Sequence, residues 1–317
     1  MIIIPTRVCN TNKCGYCWVL KKDFLNKFFQ DNLKLKDFVE KIYFISKKTW
    51  DYNIRFFGWE PFLKFKIIKN IINSLKAKNS KFNYIINTNL SLLKNEHLDF
   101  LKNNNTKLII SCNWDLYSHC LTRNTNKDET IKLYENIKKI IDFWIKYQIN
   151  IVTTPKISNR LYKNIIFINS KLWWENFNLL PVNYNWWDKR WLKEFEKQLK
   201  LIKNDIISNK LKIEFINKKV NNNVWLFNSE ITIDSDWKIY PSMVIIENFF
   251  EKEKSNIQIS DLINNISDIE KDFLYYEKDN HKIYDNFINK ILNNKFRDII
   301  ENDKIWSKIF SNFLKEI

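Results

Sequence analysis

Short apolar, β-branched runs alternate with longer lysine-rich stretches of helical spacing through the first two thirds of this 317-residue chain. The strand-like runs are residues 1–8 (MIIIPTRV), 53–58 (NIRFFG), 82–89 (FNYIINTN), 107–113 (KLIISCN), 150–155 (NIVTTP) and 176–182 (NFNLLPV). Residues 21–48, 62–79, 91–104 and 127–147 lie between them and repeat apolar positions with the period of a helix. Six strands alternating with helices predict an α/β fold, a parallel sheet with right-handed crossovers. An open sheet and a partial (β/α)6 barrel both satisfy the pattern, and in either the site belongs at the carboxyl ends of the strands. After about residue 200 the pattern changes. Residues 211–216 (LKIEFI) and 230–240 (EITIDSDWKIY) alternate like an antiparallel pair, and from about 259 onward the chain reads as polar and helical. The predicted division is a core over 1–205 and a small α+β extension with a hairpin and helices over 206–317.

Composition adds two departures from the average. Lys+Arg outnumber Asp+Glu by 52 to 36, a formal charge of +16. Lysine is spread along the chain with abundant Asn, Ile and Phe, and no compact Arg-rich block stands out, so nucleic acid is the lesser reading of that charge. The apolar opening MIIIPTRVC is short for a signal peptide, and no apolar run spans a bilayer. A cytoplasmic protein without a membrane partner is expected. The second departure is sharper: 2 glycines and 13 tryptophans. Average usage would give roughly 22 glycines in a chain of this length.

Candidate chemistry gathers just past the first strand, in CNTNKCGYC. Cys9, Cys14 and Cys17 there, with Cys112 and Cys120 elsewhere, make five thiols and no disulfide framework. Three cysteines on a loop leaving a strand suggest a metal site. Zinc wants a fourth ligand, with Cys112, Cys120, His97, His119 and His281 as candidates at no local zinc-finger spacing. An iron–sulfur cluster held by three thiolates leaves one iron open.

At this loop the chain resembles the radical S-adenosylmethionine (SAM) superfamily. The family's cysteines are separated by three and then two residues, with an aromatic residue before the last. Tyr16 takes the aromatic place and the gap from Cys14 to Cys17 matches, while four residues separate Cys9 from Cys14. The family's second strand ends Gly-Gly-Glu-Pro; here it is Gly58-Trp59-Glu60-Pro61. Thr88 and Asn89 match a Thr-Asn-Gly ending, with Leu90 in the glycine place. Ser111-Cys112-Asn113-Trp114 stands where Ser-x-Asp-Gly is common, and Arg123 matches a basic residue after that strand. The sixth strand ends at Leu180 and Pro181. Residues 233–242, IDSDWKIYPS, are similar to the hairpin of peptide-modifying members with a SPASM-type extension. Ser242 replaces that hairpin's cysteine, and no cysteine follows Cys120.

The resemblance implies a partial parallel barrel, a [4Fe-4S] cluster on Cys9, Cys14 and Cys17, and SAM on the open iron. It implies Glu60 and the backbone of Gly58, Trp59 and Pro61 near the cationic amino group, and Arg123 opposite the carboxylate. It places Thr88 and Asn89 beside the cofactor, Tyr16, Leu180 and Pro181 against adenine, and Ser111 and Asn113 near the ribose. The implied activity is reductive cleavage of SAM to methionine and a 5′-deoxyadenosyl radical that abstracts hydrogen from a peptide or protein. An electron donor such as a flavodoxin or ferredoxin is the implied partner, and auxiliary clusters are not expected. The alternatives are an RNA-modifying enzyme of the same family, favoured by the charge, or a non-catalytic binding module on the same fold. Glu60 as a helix cap, Thr88 and Asn89 as turn residues and Arg123 as a surface cation are the plainer readings.

Glycine is the residue of the matched motifs where this chain has Trp59, Trp114 and Trp237. Trp144 falls where a glycine ends a helix, and Trp173-Trp174 and Trp186-Trp187 fall in loops beside Glu175, Asn185 and Asp188. Glycine in place of all 13 tryptophans would give 15 glycines, about 5% of the chain and near the usual level. The expectation is an alternative genetic code, with glycine in the native protein.

Overall fold

A computed structural model describes residues 1–11, 14–17, 32–113, 115–172, 176–182, 187–215, 230–243, 254–274 and 297–317. Six strands form in the predicted order: β1 (Ile2–Ile3), β2 (Asn53–Phe56), β3 (Asn83–Thr88), β4 (Lys107–Ser111), β5 (Tyr147–Thr153) and β6 (Asn176–Pro181). Each pairs with the next in parallel, from Ile2↔Arg55 at one side to Thr153↔Pro181 at the other. The sheet curves as a partial barrel but does not close, and its edges are occupied by later strands.

Those edges correct one expectation. β7 (Glu214–Phe215) joins β6 in parallel, whereas β8 (Thr232–Ile233) joins β1 at the opposite end of the sheet. Residues 211–216 and 230–240 therefore do not pair with each other; residue 216 lies outside the described residues. The predicted hairpin forms within 230–240 itself, β8 against β9 (Lys238–Tyr240), and β10 (Ser260–Asp261) extends it. Local alternation identified strands there but not their partners, which lie far away in sequence.

Helices cover the outer face. α1 (Asn32–Thr49), α2 (Phe65–Lys78), α3 (Asn95–Asn103), α5 (Lys127–Asp142) and α6 (Leu161–Leu172) follow successive strands, with α4 (Leu116–Arg123) inserted after β4. The predicted start of the first helix, 21–31, lies outside the described residues. α5 shows why these segments become helices. Asn126 and Glu129 form a reciprocal capping box, and Leu133, Ile137 and Ile140 bury one stripe. The strands contribute Ile54, Phe56, Ile86, Ile110, Ile149 and Ile151, all fully buried, to the same core. Burying each such side chain contributes about 1.5–3 kcal/mol. α7 (Lys189–Ile207) and α8 (Arg297–Glu316) pack together beyond β6. No described helix is long and apolar enough to cross a membrane.

Candidate active site

The carboxyl ends of β1 to β4 meet around one buried acid. Gly58 lets this happen. Its φ is +120°, and a Cβ there would stand 2.5 Å from the carbonyl oxygen of Thr6, so only glycine lets the β2 turn approach the end of β1. Two residues on, the Glu60 amide donates to the Val8 carbonyl at 3.2 Å, tying this turn to the root of the cysteine loop.

The Glu60 carboxylate is fully buried and caps the 3-10 turn Pro61–Lys64. Its Oε1 accepts from the Phe62 amide at 3.0 Å and from Thr88 Oγ1 at 2.8 Å, and its Oε2 accepts from the Asn89 amide at 2.8 Å. Burial pushes its pKa up to about 7, against the pull of those three donors and of Arg123. A carboxylate offers about four acceptor positions; Glu60 has committed three, leaving one on Oε2. The cap and the cofactor-binding reading are therefore compatible.

Asn89 carries the link onward. Its Nδ2 lies 3.7 Å from Cys9 Sγ and donates to Asn10 Oδ1 at 3.1 Å. Farther round the loop, the Gly15 amide donates to the Thr122 carbonyl at 3.1 Å, in the last turn of α4. The loop is thus fastened at both ends. Its thiols are separate: no three His, Cys, Asp or Glu side chains among the described residues are gathered on one metal-sized point.

Arg123 ends α4 beneath this loop. It is buried, its Nε and Nη2 have no hydrogen-bond partner, and its guanidinium lies 5.6 Å from the centre of the Tyr16 ring. Burial opposes its charge, but Tyr16, Cys14, Cys112 and Cys17 around it raise its pKa above the ordinary value. Burial raises Tyr16 in turn, with Arg123 acting against it. A buried guanidinium with unused donors costs several kcal/mol unless an anion meets it. Those two unpaired donors, beside three thiols on one loop, fit a carboxylate-bearing cofactor and a thiolate-ligated cluster.

The remaining predicted residues lie at or just beyond the ends of their strands. Asn113 is buried; its Nδ2 donates to Thr122 Oγ1 at 2.9 Å and to the Val152 carbonyl at 2.6 Å, bracing α4 against β5. Ser111 ends β4 half-buried, and Leu180 and Pro181 end β6 opposite Val152 and Thr153. Trp59 is half-buried, its ring 5.9 Å from the Arg7 guanidinium. Trp114 and His281 lie outside the described residues.

Two histidines lie within the described residues. Burial, reinforced by Arg123, holds His119 down at about 3, and its Nδ1 accepts from the Asn113 amide at 3.2 Å. His97 stacks on Phe65 at 4.0 Å. Cys112 is buried, and Cys120 lies 3.4 Å from Thr130 Oγ1.

Sequence reasoning missed Arg7 and Asp234. Asp234 Oδ1 accepts from Arg7 Nε at 2.9 Å, Oδ2 accepts from Arg7 Nη2, and Lys254 Nζ lies 2.7 Å from Oδ2. The signal was the first aspartate of the hairpin motif, whose partner 227 residues earlier is invisible to local pattern.

Comparison with known proteins bears on the fold and the family. No curated protein matches the sequence. Among solved structures, native anSMEcpe with bound AdoMet superposes with a TM-score of 0.67 at 14% identity, over 84% of this chain and 79% of that one. Streptococcus suis SuiB bound to precursor peptide SuiA gives 0.58 at 18% identity, over 78% of this chain and 60% of that one. These likenesses are in fold. The sequence profile of the Radical SAM superfamily matches residues 3–165, from the first strand through the cysteine loop and into α6, and the chain belongs to that superfamily, whose enzymes use a [4Fe-4S] cluster and S-adenosylmethionine.

Proposed function

We propose that this radical SAM enzyme modifies a peptide or protein. The observation that carries the substrate class is the 230–240 hairpin, which resembles that of peptide-modifying members and extends the sheet beside β1. The chain shares its fold with anSMEcpe, one structure of which holds AdoMet and the Kp18Cys peptide, and with SuiB, one structure of which holds the precursor peptide SuiA.

Cys9, Cys14 and Cys17 would hold the cluster, the free acceptor position of Glu60 would take the cofactor's amino group, and Arg123 would meet its carboxylate. Thr88 and Asn89 keep Glu60 and the loop root in register. Tyr16, Leu180 and Pro181 would face adenine, with Ser111 and Asn113 toward the ribose. When bound, the two cofactors supply a reductive cleavage of the sulfonium that yields methionine and an adenosyl radical able to abstract hydrogen. The chain's own residues orient the cofactors and shield them from water. A small acidic electron carrier such as a flavodoxin or ferredoxin suits the positive charge.

A test is to incubate the reconstituted, reduced enzyme with short peptides encoded beside its gene. Peptide-dependent 5′-deoxyadenosine with a peptide mass change supports the reading. Modification of tRNA, with salt-sensitive tRNA binding and inert peptides, contradicts it.

A further inference from the structure

Every helix end or turn in the described chain that needs a left-handed residue must find one other than glycine, except at Gly58. The non-glycine positions with positive φ are Trp50, Leu90, Asn105, Asn124, Trp144, Asn209 and Trp237. Asparagine is the usual second choice there, since its short side chain tolerates the conformation. Tryptophan is not, because its bulk clashes with the backbone.

Trp144 shows the position in full. Its amide donates to Ile141 and that of Ile145 to Ile140, the paired bonds of a Schellman ending, with Trp144 at φ 57° in the glycine place. Asn105 closes α3 with the same bonds, to Lys102 and Leu101. Trp50 follows α1 at φ 55°. The indoles of Trp50 and Trp144 are 81% and 86% exposed, so no packing compensates. Trp237, at φ 72°, is the last of the four residues between β8 and β9; its amide donates to the Asp234 carbonyl at 2.9 Å and the Asp234 amide to the Lys238 carbonyl at 3.0 Å, a tight turn whose left-handed place glycine usually fills.

We propose that the native protein has glycine at positions 50, 144 and 237, because a codon read here as tryptophan is read as glycine in the cell of origin. UGA is such a codon. This inference rests on backbone geometry and composition and is independent of the proposed function. It narrows the sequence-based expectation: Trp187, whose Nε1 donates to the Val182 carbonyl at 3.0 Å, and Trp306, buried on α8, carry no such signature. Trp237 is buried against Phe38, so glycine there also leaves a gap. The cleaner variants are therefore Trp50→Gly and Trp144→Gly.

The experiment reads the codons of the gene and the peptide masses of the protein from its native cells. UGA codons with glycine masses at all three positions are expected; UGG codons or tryptophan masses overturn the proposal. In recombinant protein, Trp50→Gly with Trp144→Gly should raise the Tm by roughly 2–4 °C. A fall in Tm would mean that tryptophan is native there.

A different observation carries a second proposal. Arg7 lies two residues before Cys9, and Asp234 grips its guanidinium through both carboxylate oxygens. Arg7, Asp234 and Lys254 are all buried, and Lys254 also lies 4.9 Å from the centre of the Tyr240 ring. Buried ion pairs add little net stability over apolar residues of similar shape. The geometry points to Asp234 as a positioning residue: through Arg7 it fixes the root of the cysteine loop against the hairpin. The assay is iron retention and the EPR spectrum of the reduced cluster with and without SAM, alongside the Tm. Asp234→Asn should lose iron at least several-fold faster and shift the SAM-bound spectrum. The triple change Arg7→Met, Asp234→Leu and Lys254→Met, which leaves no buried charge unpaired, should recover the Tm but not the iron retention. Retention and spectra identical to the parent, in either variant, overturn the proposal.

Discussion

At the scale of the residue, the site turns on Gly58 and Glu60. Gly58→Ala drives a Cβ to 2.5 Å from the Thr6 carbonyl oxygen, a backbone atom with little room to move. The substitution should lower stability by about 1–3 kcal/mol and weaken SAM binding, measured by urea unfolding and anaerobic titration. Glu60 makes a prediction with a sign. Its ordinary value of 4.5 rises to about 7 on burial, so between those values the native chain holds a proton that the unfolded chain has released. Without cofactors, stability should fall as pH rises through this window, by up to about 3 kcal/mol, and Glu60→Gln should flatten the slope. The acid end runs the other way. Burial would raise Asp234, but Arg7 and Lys254 outweigh it and lower its pKa, so its contribution is present above 3.8 and is lost as pH falls. Arg123→Ala should weaken SAM binding by roughly 1.5–3 kcal/mol while leaving iron content unchanged. Unchanged affinity would remove Arg123 from the site.

At the scale of the element, the six strands and most intervening helices were legible because each carries its own period. Ile54 and Phe56 alternate with half-buried or exposed neighbours on β2, and Leu133, Ile137 and Ile140 mark one face of α5. α4 was not legible. It is eight residues long, and Ser118, His119, Thr122 and Arg123 are its buried positions, so it has no apolar stripe to read. Its start is set by Asp115, which accepts from the Ser118 amide at 2.9 Å and pairs with Arg160 at 3.2 Å. β7 was legible as a strand but not by partner, because two residues leave register to tertiary packing. The capping box of α5 gives the element-scale test. Asn126→Ala should cost about 1 kcal/mol in urea unfolding without altering SAM affinity.

At the scale of the whole molecule, the site is assembled by the order of the strands. β1 delivers the cysteine loop, β2 the turn with Glu60, β3 donors that hold it, and β4 with α4 a guanidinium whose Nε and Nη2 make no hydrogen bond. The strand-end motifs made most of this list readable, since each lies within a few residues of its strand. The Arg7–Asp234 contact was unreadable because it joins residues 227 apart. The three-cysteine loop predicts about four irons per chain, the content of one cubane; about eight would contradict it. The central claim is that this assembly cleaves SAM. Trp59 stands where the family motif has glycine, beside the acid that would hold the amino group, so the test uses the parent chain and Trp59→Gly together. After anaerobic reconstitution and dithionite reduction, the measurement is 5′-deoxyadenosine formed from SAM. The account predicts 5′-deoxyadenosine above background in Trp59→Gly, less in the parent, and none when Cys17→Ala is added. No 5′-deoxyadenosine from Trp59→Gly carrying a full cluster would contradict it.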